Sequence, residues 1–479
     1  MGLMTPEEYR KSLRDNRVVY YEGEKVKDVT THPALKVCVD TAAIDYEMAE
    51  MPEHRDLAVV KHPKTGEPIS RYYYTPTNAE DLLKRHELMV TATRLGGGVI
   101  PFSHDIGADA MNAVNITANM MGNKEYIERA EKYRYHLQKN DLSVACAMSD
   151  VKGDRVERPS SPKQGHPDYY VHVVDKNEKG IVVRGAKAHI TAAAYCNEIL
   201  AVPCRAMEEA DKDYAVAFAV PVDTKGVIQV LHPVQHKRSK LEFPIDLPIR
   251  NHTDSLIIFD DVFVPWERVF LCGEWKFAMH LVYNFAYLHR HTAASYRVPS
   301  AEGFLGAAVA MAEYNGISNV PHIKEELTDL VIYVNTLKSL ARASCIDFAT
   351  HGGIPIPNPV LTNMAKYHFA TNFHQCIKLV QDIAGGLLVT APTYQDFLNP
   401  DIGDFIKKYL GGKSGVTAEA RLRMFQLLRR MMTVENETVA VHAEGSFQSQ
   451  RLMIYVEALR EMAQYKKQVE YAAGIIDKL

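Results

Sequence analysis

The chain has 479 residues, 47% hydrophobic and 24% charged, with 55 Lys and Arg against 59 Asp and Glu for a net charge of −4. No basic block stands out, which excludes nucleic acid as an expected partner, and no run reaches the ~18 uninterrupted apolar residues of a membrane-spanning helix. The polar start, MGLMTPEEYRKSLR, lacks the apolar core of a signal peptide, so a cytoplasmic protein is expected.

Residues 1–145 read as a helical domain: ADAMNAVNITANMMG and KEYIERAEKYRYHLQKN repeat apolar residues at i, i+3 and i+4. A Pro-, Ser- and Lys-rich loop, DVKGDRVERPSSPKQGHPD, follows. Over residues 146–275 the pattern changes to short runs rich in Val, Ile and Tyr, among them GIVVRGA, YAVAFAVPV and SLIIFDDVFVPW, which suit an antiparallel β-barrel or sandwich. Residues 276–479 return to long helical patterns that pack as a bundle. The fold class expected is α+β. Seven cysteines, Cys38, Cys146, Cys196, Cys204, Cys272, Cys345 and Cys376, stand singly with no tight ligand spacing; disulfides and a cysteine-only metal site are not expected.

Two small-residue steps carry the first functional signal. In DIAGGLLVTAP, Ala384, Gly385 and Gly386 let backbone N–H groups approach a bulky polar ligand, although a glycine pair also serves simply to break a helix. GAKAHIT closes a strand-like run with Lys187, His189 and Thr191. Together they suggest a large flat cofactor with a phosphate tail.

The layout, with TPEEYRKSLRD, GIVVRGAKAH, FDDVFVPWERVF and DIAGGLLVTAP, resembles acyl-CoA dehydrogenase-like flavoproteins, specifically the family of 4-hydroxyphenylacetate 3-hydroxylase and 4-hydroxybutyryl-CoA dehydratase. AMSDVKGDR, GAKAH and EADKDYAV lean toward the dehydratase branch. The resemblance implies an N-terminal helical domain, a middle antiparallel β-barrel and a C-terminal four-helix bundle. It also implies FAD, contacted by Met148, Lys152, Asp154, Arg155, Lys187, His189 and Thr191, with Ala384, Gly385 and Gly386 at the adenine or pyrophosphate end. Those three are often supplied by a neighbouring subunit, so a homotetramer is implied.

The resemblance also shows departures. The dehydratase holds a [4Fe–4S] cluster through three Cys and one His; the matching positions here are Pro101, Asp105, Tyr296 and His289. Too few soft ligands remain for a cubane, and no metal is assigned. A polar pocket of Asp105, His289 and Tyr296 is expected to bind or polarise substrate. A single iron or zinc ion on these donors, with His104 or His291, is the lesser reading. Asp254 falls where the dehydratase has a glutamate and is a candidate base or an orienting group for His289. Glu444 reads as a solvated loop residue, the dehydratase's acid falling at Val439. The hydroxylase's Arg, Tyr and His positions are Ile106, Ala110 and Cys146, so its phenolate-binding set is missing.

Three functions follow as expectations. The first is a cluster-free flavoenzyme acting on an acyl thioester by proton abstraction and isomerisation, elimination or redox, with His289 as base. The second is a two-component monooxygenase that hydroxylates an aromatic acid with reduced flavin from a partner reductase. The third is a non-catalytic flavin-binding paralogue.

Overall fold

The computed structural model describes residues 2–478. Fourteen strands are seen among them. A six-stranded sheet has the order β2 (Glu24–Lys25), β1 (Val18–Tyr21), β10 (Val227–Leu231), β11 (Asp254–Pro265), β7 (Gly180–Thr191), β6 (His172–Asn177). A four-stranded sheet runs β12 (Val269–Cys272), β9 (Val216–Pro221), β8 (Glu198–Ala201), β5 (Val144–Ala147). Two small hairpins, β3 (Val59–Lys61) with β4 (Pro68–Ser70) and β13 (Ala349–His351) with β14 (Ile354–Ile356), complete the set. Among the described residues no closed barrel is found. The N-terminal segment is not purely helical either, because β1 joins the large sheet in parallel with β10.

The chain divides into two compact units. The first comprises the chain up to Lys237, Leu247–Thr292 and Thr350–Ile356; the second comprises Arg238–Asp246, Ala293–Ala349 and the chain from Pro357. The division falls inside one 40-residue helix, Trp275–Tyr314.

In the first unit, β7 and β11 pair antiparallel along most of their length. Ile181, Val183, Gly185 and Lys187 of β7 face inward at period two, as the pleat requires. The register slips between Ser255 and Ile257, so Ala188 and His189 together oppose Leu256 alone. His189 takes φ +60° at this bulge and turns outward to solvent. The helix Asp105–Met121 is buried along its length from Asp105 to Ala118. Its close approach to β5 requires a residue without a side chain: a Cβ on Gly107 would lie 2.4 Å from the Val144 carbonyl oxygen. That contact fixes where the N-terminal turn of the helix sits, and with it Asp105.

The second unit is helical. Pro359–Ala384 packs against Pro321–Ile346 and Phe447–Ala472 and buries Phe369, Phe373 and Val380. Gly385, at φ +76°, ends this helix, and the chain turns directly into Leu387–Thr390.

Candidate active site

Asp105 opens the helix Asp105–Met121 and is wholly buried. Neither of its carboxyl oxygens has a well-formed hydrogen bond. Burial, then the like charges of Asp45 and Asp109, push its pKa up to about 7, against a smaller opposing pull from His289. One turn on, Asp109 shares the face of Asp105. Its Oδ1 pairs with Arg85 Nη2 at 2.6 Å, and its Oδ2 accepts the Thr292 hydroxyl at 2.7 Å. The same Oδ2 faces His289 Nδ1 at 3.5 Å. His289 is mostly buried and stacks on Phe285, ring centroids 4.9 Å apart. The structure thus brings Asp105 and His289 into one electrostatic group, with Asp109 between the two helices.

A buried network lies just N-terminal. His104 Nε2 is 3.3 Å from Asp141 and its Nδ1 is 3.6 Å from Asp45, with the Ser103 hydroxyl at 2.8 Å from Nδ1. Burial alone would lower the His104 pKa, but its bonds to Asp141 and Asp45 and their charges raise it to about 9. The two flanking carboxylates thus favour the protonated ring of His104. Among the described residues, no group of three or more His, Cys, Asp and Glu is arranged to hold a metal ion.

Tyr296 belongs to the second unit. Its hydroxyl donates to Glu444, whose carboxylate also lies 3.4 Å from Lys366 and 3.8 Å from Arg297. Lys366 is fully buried and donates to the Ala440 carbonyl at 3.1 Å; Arg297 donates to the Val439 carbonyl at 3.1 Å. The Glu444 side chain is 5% exposed and its backbone takes φ +59°, so the expectation of a solvated loop residue is corrected. Its partners lie far away along the chain, and no local pattern announces them. The position matched to the dehydratase's acid, Val439, contributes only its carbonyl.

Asp254 accepts the Thr191 hydroxyl at 2.6 Å across the β7–β11 ladder. Its partner is Thr191, not His289, and the orienting role expected for it is not seen. Lys187 also departs from expectation. Its ammonium is 2.9 Å from Asp150 and donates to the Met148 and Val202 carbonyls, both at 2.9 Å, so all three donors are spent inside the protein. The period-two pattern of β7 already placed Lys187 on the inward face.

The AMSDVKGDR loop is anchored by Gln164, which accepts from the Asp154 amide and donates to the Asp154 carbonyl. Lys152 takes φ +77°, and Asp154 and Arg155 are exposed while Met148 is half-buried. In the second unit, Asn315, Ala384, Gly385, Gly386, Lys413 and Arg421 line a cleft of about 480 Å³. A Cβ on either Gly385 or Gly386 would meet nothing within 4 Å, so their backbone faces open space. Arg421 braces the rim through the Leu410 and Gly411 carbonyls and the Asn315 side chain.

Residues 5–271 match the N-terminal domain of 4-hydroxyphenylacetate 3-hydroxylase, and residues 278–474 match its C-terminal domain. The chain belongs to this family. Its relatives in the family are enzymes. It is 35% identical to the 4-hydroxybutyryl-CoA dehydratase/vinylacetyl-CoA-Δ-isomerase of Clostridium aminobutyricum, over 96% of this chain and 98% of the relative. Among solved structures it resembles an oxygen-tolerant archaeal 4-hydroxybutyryl-CoA dehydratase from N. maritimus, with TM-score 0.90 and 31% identity over 100% of this chain and 96% of that one. It also resembles the oxygenase component (HpaB) of 4-hydroxyphenylacetate 3-monooxygenase complexed with FAD, with TM-score 0.86 and 25% identity over 98% and 99%.

Proposed function

We propose that this member of the family is an FAD-dependent enzyme that moves a proton, and with it a double bond, within an acyl thioester, without an iron–sulfur cluster. The observation that carries the reading is Asp105: a buried carboxyl with no well-formed hydrogen bond, poised near neutrality in the field of His289. The likeness to the dehydratase/isomerase over nearly the whole chain supports the thioester.

In this reading His289 accepts the proton acidified by the thioester, breaking the α C–H bond while the double bond shifts. Protonated Asp105 delivers a proton to the γ-carbon. Passage of a proton from His289 to Asp105 then resets both groups, and no net proton is gained or lost. Asp109, the carboxylate facing His289, is held by Thr292 and Arg85, a hard donor and a cation that do not fit a cubane; the reading uses no step through one.

The residues present fit a flavin nucleotide. Lys152 and Arg155, which form no ion pair among the described residues, would meet its phosphates, with Met148, Asp154, His189 and Thr191 nearby. Ala384, Gly385 and Gly386, in a cleft with the cation Lys413, would take the adenine–pyrophosphate end of a cofactor held by a neighbouring subunit. When bound, the flavin supplies redox capacity and a planar wall for the substrate. The shared cofactor implies a homotetramer. On Phe447–Ala472 the exposed Leu452, Tyr455, Leu459 and Met462 form a 3–4–3 stripe suited to helix packing between copies.

The second reading, an aromatic monooxygenase fed by a flavin reductase, is supported by the likeness to HpaB. One assay separates the two. Anaerobic vinylacetyl-CoA should yield crotonyl-CoA, whereas NADH, a flavin reductase, oxygen and a phenolic acid should yield no hydroxylated product. The opposite pair of results would replace the first reading with the second.

A further inference from the structure

Lys187 and Asp150, 2% and 4% exposed, meet at 2.9 Å inside the first unit. A charge pair taken out of water recovers its desolvation cost only where further hydrogen bonds satisfy both partners. Here they do. β5 and β8 run parallel, paired as far as Ala147 and Ala201. The next two carbonyls, Met148 and Val202, both accept from the Lys187 ammonium at 2.9 Å. Beside it the Ala188 amide donates to the Ser149 carbonyl at 2.8 Å. Where the chain leaves β5 is therefore set from β7.

The same pair closes the base of a loop. The chain departs at Met148 and returns at Val171, whose amide donates to the Asp150 carboxylate at 2.9 Å. One step further out, the Lys152 amide donates to the Tyr169 carbonyl at 3.1 Å, and beyond it Gln164 holds Asp154. β7 is shaped for this closure two residues before the lysine. A Cβ on Gly185 would lie 2.7 Å from the Val171 Cα and 2.8 Å from the Tyr170 carbonyl oxygen. The closed loop carries Met148, Lys152, Asp154 and Arg155, the residues that would meet the flavin. Lys187 itself has no N–H left for a phosphate. We infer that Lys187 is a positioning residue for the flavin: from inside the sheet it fixes one end of the Met148–Val171 loop directly and the other through Asp150, and so sets FAD affinity without touching the cofactor. The role rests on the proposed flavin contacts; the closure of the loop does not.

The test titrates FAD into the flavin-stripped, full-length protein by fluorescence and follows amide hydrogen exchange with and without FAD. Lys187→Met keeps an unbranched side chain and removes the charge. It should raise the FAD Kd about 10–100-fold, the scale on which supporting partners act at metal sites. Without flavin, residues 148–171 should exchange faster than in the wild type, while the helix Lys124–Asn140 keeps its wild-type rate. Asp150→Asn, which preserves shape, should move both readings the same way by less, and it decides the matter if Lys187→Met does not fold. In Lys187→Met/Asp150→Leu the two losses should be less than additive, since neither charge is left buried alone. A lysine that held a phosphate directly would weaken FAD binding in Lys187→Met and leave exchange in the flavin-free loop unchanged. That result, wild-type FAD affinity in folded Lys187→Met, or wild-type behaviour of both readings in Asp150→Asn would overturn the inference. A wild type that takes up no FAD would remove the proposed flavin contacts, and this role with them.

Discussion

At the scale of single residues, the site depends on how burial acts on charge. Asp105 holds its proton to about pH 7, while in an unfolded chain it would release it near 3.8. Between those values the unfolded state binds fewer protons than the folded one, so stability falls as pH rises through the window and stays reduced above it. Asp105→Asn lacks this penalty. At pH 8 it should melt several degrees above the wild type, the two curves converging below about pH 4, while isomerisation falls at least ~10²-fold. A variant less stable at pH 8 would contradict the assignment. His104 acts in the next window: its folded pKa of about 9 lies above the ordinary 6.5, so its contribution is complete below 6.5 and lost by about 9. Thermal melts of Asp105→Asn should therefore still decline between pH 6.5 and 9, and a flat profile would show that the Asp45–His104–Asp141 clamp does not form.

Elements place these residues, and the sequence revealed them unevenly. His289 and Asp105 were legible because both fall on positions that the family resemblance marks. Asp109 lay in the quoted DAMNAV run yet went unnoticed, because its meaning comes from Arg85, 24 residues earlier, and Thr292, 183 residues later. Buried ion pairs between distant helices leave no local period. Lys187 is the converse case. The family resemblance made it a flavin contact, while the alternation of Ile181, Val183 and Gly185 pointed it inward to Asp150. The barrel was over-read, since evenly spaced strands do not by themselves specify closure, and β1 was hidden in a mostly helical segment. At this scale Gly107 is the sensitive point. Gly107→Ala places a Cβ against the Val144 backbone, within 2.4 Å of its oxygen, and should cost about 1–3 kcal/mol in denaturant melts. It should also depress activity by shifting Asp105; a neutral effect would mean the helix and β5 are less tightly joined than they appear.

At the scale of the whole molecule, one family frame carries two chemistries in its named relatives, and side chains rather than the fold distinguish them. In this chain the proposed proton-transfer group is confined to the first unit. The glycine-lined cleft and the Tyr296–Glu444–Lys366 cluster belong to the second. Assembly is testable apart from catalysis. Light scattering should give about four times the 53.9 kDa subunit mass, and Leu459→Glu on the exposed helix stripe should yield a smaller species. A wild-type monomer that retains FAD would contradict the shared-cofactor arrangement.

The account rests on proton movement through Asp105 and His289, and solvent deuterium reports it directly. Vinylacetyl-CoA incubated anaerobically in D₂O with the flavin-loaded protein should return crotonyl-CoA carrying deuterium at the γ-carbon. Asp105→Asn should bind the thioester and place no deuterium at its γ-carbon. Failure of the wild type to introduce deuterium into a thioester that it demonstrably binds, or undiminished labelling by Asp105→Asn, would contradict the central claim.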